Sequence, residues 1–81
     1  MINAAQIRAA RALLGWRQEK LATSAKVGLA TIRRLEGSGG LLKGNVATIV
    51  RLRSALELAG VDFIDQDERG GPGVRLKTCE S

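Results

Sequence analysis

The sequence contains no histidine, no tyrosine, one cysteine and one proline, and no long run of apolar residues. The lone Cys79 cannot form an intrachain disulfide, and without histidine the usual Cys/His zinc sets cannot be assembled. The Ser-His-Asp and Cys-His relays are excluded for the same reason, and no nucleophile has a base beside it, so enzyme classes are the least supported. Two aromatic residues, Trp16 and Phe63, offer few platforms for stacking single-stranded bases. No stretch approaches the ~18 apolar residues of a membrane span, and no charged region followed by an apolar run marks the N-terminus for export. A free thiol fits a reducing compartment, so the expectation is a cytoplasmic chain without a membrane contact, metal or cofactor.

What remains is small. Eighty-one residues make one domain. A chain of this size buries roughly 60% of its unfolded surface and is marginally stable unless a disulfide, a metal or a second subunit adds to it. With the first two excluded, self-association is expected. The net charge of +5 is unevenly placed. Residues 1–56 carry ten Lys/Arg against two acids, Glu19 and Glu36, whereas residues 57–81 carry three basic residues against six acidic ones. A basic N-terminal two-thirds is the electrostatic footprint of a phosphate-binding surface, from which the acidic tail should turn away.

Hydrophobic spacing divides the chain into short elements. Asn3 and Gln6 have the spacing of a capping box, starting a helix at Ala4. Ile7, Ala10 and Leu14 form its apolar stripe, with Arg8 and Arg11 outside it, and Gly15 stops it. A second helix, from Gln18 to about Ala25, groups Leu21, Ala22 and Ala25, and Trp16 fills the joint before it. Lys26-Val27-Gly28 has room only for a turn. A third helix of about eight residues follows, with Ile32 and Leu35 inward, Ala30, Thr31, Arg33 and Arg34 outward or on the flanks, and Gly37 as its stop. Gly37 to Gly40 read as a loop, and Leu41 to Gly44 lead to an N-cap at Asn45. The fourth helix has Val46, Ile49, Val50, Leu52, Leu56 and Ala59 as its apolar face and ends at Gly60. Val61–Ile64 and Val74–Lys77 are β-prone segments separated by a breaker-rich stretch, which predicts a hairpin with a long loop. A two-stranded hairpin alone is marginal in water, so these strands need either the helical body or a second copy of themselves, and Val61, Phe63, Ile64, Val74 and Leu76 are the expected dimerisation residues.

Two short helices joined by a tight turn, the second with outward Arg and Thr on a basic domain, make a helix-turn-helix pattern spanning about residues 17–37. The stretch LLGWRQEKLATSAKVGLATIRRLEGS resembles the Cro/C1-type (XRE) family of DNA-binding regulators, which typically read L-G-x-[ST]-Q-E-x-L-A and then I-x-x-[IWL]-E-x-G. Gln18, Glu19, Leu21, Ala22, Val27, Ile32, Leu35 and Glu36 fall where that pattern expects them, within a resemblance covering about residues 4–60. The segment Val61–Lys77 is similar to the G-V-x-F-I and G-P-G-V-R-L ending of some small bacterial regulators. Three positions depart from the family pattern. Arg17 replaces the hydroxyl cap before Gln18, Lys26 stands where glycine is common, and Gly28 replaces a second hydroxyl cap.

The resemblance implies a mainly α, four- to five-helix lambda-repressor-like DNA-binding domain over residues 1–60, with a dimerising C-terminal β-hairpin or strand pair over 61–81. It also implies that the third helix lies in the major groove of double-stranded DNA. Arg33 and Arg34 are then the leading guanine readers, and Leu29, Ala30 and Thr31 would meet thymine methyls, Thr31 also offering a hydroxyl. The competing reading puts Arg33 on phosphate or on Glu36, and Leu29 in the core. Gln18 resembles the family glutamine that anchors a phosphate beside a helix start, and Arg17, Lys26, Gly28, Lys43 and Asn45 complete the expected phosphate-facing set. The implied function is a bacterial transcriptional regulator, a repressor or dual regulator, of its own gene or another, on a phage, plasmid or integrated mobile element. It would bind an inverted-repeat operator as a homodimer. The alternative is a DNA-binding antitoxin whose C-terminal segment covers a protein partner.

Overall fold

The computed structural model describes residues 2–38 and 44–77; the expectations placed on Gly39 to Lys43 and on Cys79 lie outside them. Four helices, α1 (Ala4–Leu14), α2 (Gln18–Ala25), α3 (Leu29–Gly37) and α4 (Val46–Leu58), precede two strands, β1 (Val61–Ile64) and β2 (Gly73–Leu76). The chain is thus mainly helical with a C-terminal two-stranded antiparallel sheet, as its spacing predicts.

Local chemistry explains most boundaries. The capping box is present: Gln6 N–H donates to Asn3 Oδ1 at 2.8 Å, and Asn3 N–H donates to Gln6 Oε1 at 2.9 Å. Gly15 ends α1 in the left-handed region at φ 69°, where a side chain would be strained. Trp16 N–H closes that end by donating to the Arg11 carbonyl at 2.9 Å. Lys26 ends α2 in the same region at φ 57°, and no side chain caps the start of α2 at Arg17 or of α3 at Gly28. Asn45 caps α4 by accepting from Ala47 N–H at 2.8 Å. Helix α3 runs through Gly37, one residue beyond its expected stop, and closes where Ser38 Oγ donates to the Leu35 carbonyl.

Ile2, Ile7, Leu21, Ile32, Leu52, Leu56 and Val61 are fully buried at the centre, with Trp16 and Val74 packed against them from the side. The strands pair Val61 with Leu76 and Phe63 with Val74, and the sheet packs on α1 and α4. Here two expectations are corrected. Val61 and Phe63 are buried in the chain's own core and are not available to a second copy; Val74 is half-buried, and only Ile64 (37% exposed) and Leu76 (43%) keep substantial exposure. The hairpin therefore shares one core with the helices. On α4, the core line is Ile49, Leu52 and Leu56, and Val46 and Val50 lie ~60–100° around the helix from Ile49, which leaves them 67% and 54% exposed.

A further contact joins the two ends of the fold. The Gln6 side chain, whose oxygen completes the capping box, turns its Nε2 to the carbonyls of Gly73 at 3.0 Å and Ile64 at 3.3 Å. One buried amide therefore starts α1 and holds the loop end of the hairpin. No helix among the described residues is long and apolar enough to cross a membrane.

Candidate nucleic-acid interface

The pair α2–α3 is tied to α1 by a largely buried ion pair. Arg11 meets Glu36 side by side, Nε to Oε2 at 2.8 Å and Nη2 to Oε1 at 2.7 Å, and donates from Nη1 to the Trp16 carbonyl at 3.1 Å. Gln18 Nε2 donates to the same Glu36 Oε1 at 3.2 Å, and Arg8 Nη1 donates to the Glu36 carbonyl at 2.5 Å. The end of α1, the start of α2 and the last turn of α3 thus converge on one carboxylate. Two parallel N–H···O bonds fix orientation as well as distance. Among the described residues every buried side-chain polar atom has a partner.

The apolar spacing of α1 leaves Arg11 outside its stripe, whereas the structure turns its guanidinium inward to Glu36. The signal was available: Arg11 follows Ile7 by four residues and Glu36 follows Ile32 by four, so each charge lies on the inward face of its helix. The alternative in which Arg33 binds Glu36 is not what forms.

With Ile32, Leu35 and Glu36 turned inward, α3 leaves Ala30, Arg33 and Arg34 exposed on one face at i, i+3 and i+4. Thr31 and Leu29 are half-buried on its flanks, and Leu29 is outside the core cluster. Thr31 and Arg34 also line a narrow cleft with Asn45 and Thr48, which brings the start of α4 beside the outward face of α3. Arg17 and Gly28 are exposed at the starts of α2 and α3, and Gln18 is half-buried with its amide engaged by Glu36. Lys26 is exposed at the far end of α2 from Arg17, about 14 Å along the helix, where it lines a groove with Arg51, Ser54 and Leu58 of α4. Lys43 is outside the described residues.

The charge pattern sharpens once Glu36 is neutralised. Among the described residues, Arg17, Lys20, Lys26, Arg33, Arg34 and Arg51 form no ion pair, and Glu19 is the one exposed acid before Glu57. Lys20 is positioned over the Trp16 ring, 5.6 Å from its centre. The acids of the hairpin loop are carried by a sheet that packs on α1 and α4. No protein-family model matches the chain, and no curated protein matches it.

Proposed function

We propose that the chain is a sequence-reading regulator that binds double-stranded DNA, with α3 in the major groove, in the manner its resemblance to the Cro/C1-type family implies. The observation that carries this reading is the exposed Ala30–Arg33–Arg34 face on a helix held by the buried Arg11–Glu36 pair. A guanidinium fork spans guanine O6 and N7, and a rigid mount lets that fork discriminate between bases. Ala30 offers a methyl-sized surface, and Thr31 reaches from the flank. Arg17, Gly28 and Asn45, at the starts of three helices, are suited to phosphate oxygens, to which they bring backbone amides.

One recognition helix reads only a few base pairs, so the reading includes a homodimer on an inverted repeat with recognition helices about 34 Å apart. Ile64 on β1 and Leu76 on β2, the hairpin's substantially exposed apolar side chains, are the part of it left for a second copy. The role is repression or dual regulation in the bacterial cytoplasm, on the chain's own gene or another of a mobile element. The antitoxin alternative is less favoured, because its C-terminal segment would wait unpacked for a partner, whereas here Val61 and Phe63 occupy the domain's own core.

The test is a fluorescence-anisotropy titration against DNA from upstream of the chain's own gene and against a shuffled control, at about 150 mM salt. Binding at least ~10³-fold tighter to the native DNA, with two chains per site, is expected. Equal and weak binding to both DNAs, and to a genomic pool of fragments, would overturn the reading.

A further inference from the structure

The three largest apolar exposures on α4 are Val46, Val50 and Leu58 (90%). Leu58 borders a groove of about 400 Å³ between the end of α2 and the second half of α4. Ala25 and Ala55 line it with Leu58, and Lys26 and Arg51 stand on it without an ion pair among the described residues. No acid lines it: Glu57 is engaged by Arg53 at 3.3 Å. The groove is therefore apolar and cationic, the complement of an acidic, preformed segment.

The chain carries such a segment between its strands. Asp65, Asp67 and Glu68 are exposed, with Arg69 as the nearby cation. The loop is shaped in advance, because Asp67 Oδ1 accepts from Arg69 N–H at 2.8 Å and Gly70 N–H at 3.2 Å, and Asp67 and Gly70 also pair through their backbones. Docking a preformed loop loses little conformational entropy. No ion pair joins this loop to Lys26 or Arg51 within the chain.

We infer that the α2–α4 groove binds the acidic hairpin loop of a second copy of this chain. The two surfaces are different patches, so the contact is head-to-tail and can extend into a row of copies. It is separate from any two-fold pairing along β2 and makes no use of DNA. Its electrostatic part weakens with added salt.

The test uses the full chain without DNA, so that its outcome is independent of the DNA-binding reading. Sedimentation velocity from about 1 μM to about 1 mM, the range of weak contacts, is expected to show mass rising beyond a dimer. Raising salt from about 50 mM to about 300 mM should reduce it. Arg51→Glu and Glu68→Lys should each move the midpoint up about tenfold or more, and the double variant Arg51→Glu/Glu68→Lys should recover most of the loss. Leu58→Ser, at a side chain already in solvent, should weaken association while leaving the melting temperature unchanged. Mass fixed at monomer or dimer throughout, or association indifferent to both charge reversals, overturns the inference.

Discussion

Gln6 shows how much one side chain can be asked to do. Its oxygen must accept from Asn3 and its nitrogen must donate to two carbonyls, so the amide has one workable orientation. Glutamate would keep the cap and lose both donors, setting a carboxylate against the Gly73 and Ile64 carbonyls. Gln6→Glu is therefore expected to destabilise the fold by on the order of 2–3 kcal/mol in urea unfolding at neutral pH, and an unchanged midpoint would contradict the clamp. Lys26 gives the opposite sign. At φ 57° it holds a conformation that glycine adopts freely, so Lys26→Gly should stabilise by about 0.5–1 kcal/mol and raise the melting temperature by several degrees. The capping half of the Gln6 role was legible, because a capping box is a three-residue spacing. The clamp was not, since its acceptors lie 58 and 67 residues away.

At the level of elements, the helix starts and stops followed from Asn3, Gly15, Asn45 and Gly60, because caps act over one turn of chain. Which way each helix turns was harder to read. Val46 and Val50 fit an apolar face until Ile49, Leu52 and Leu56 fix the inward line. The outward set Ala30, Arg33 and Arg34 on α3 was legible from the positions of Ile32 and Leu35, whereas the engagement of Gln18 by Glu36 depends on a third helix. The Arg11–Glu36 pair predicts non-additivity. Glu36→Ala leaves a largely buried guanidinium unpaired and should cost about 3 kcal/mol or more, while Arg11→Met/Glu36→Leu should cost less than the two single changes summed. Strict additivity in a thermal-unfolding cycle would mean that the two do not act as a unit. On the proposed DNA reading, Arg34→Ala should lower discrimination at one base pair by about 1–3 kcal/mol and leave the others intact. A uniform loss on all sequences would make Arg34 a phosphate contact.

For the whole molecule, two strands that are marginal alone need either the helical body or a second copy, and the dimerisation expectation rests on the second. The structure supplies the missing partner from within, since α1 and α4 cover Val61 and Phe63. Composition could not distinguish those solutions, because both bury the same residues. Phe63→Ala should therefore cost about 3–4 kcal/mol, and the same amount at low and at high protein concentration, as a core cavity does. A cost that varied with concentration would return Phe63 to an interface.

The Gln6 contact also bears on how the protein is made. During synthesis the ribosome delivers α1 first, but the carbonyl of Gly73 that its glutamine grips emerges almost seventy residues later. Before Val61 and Phe63 emerge, a little ahead of it, the centre of the fold stays open to water. A product of interrupted translation that stops before Val61 thus keeps the complete Arg33–Arg34 face on a body that cannot close, which leaves it open to proteases.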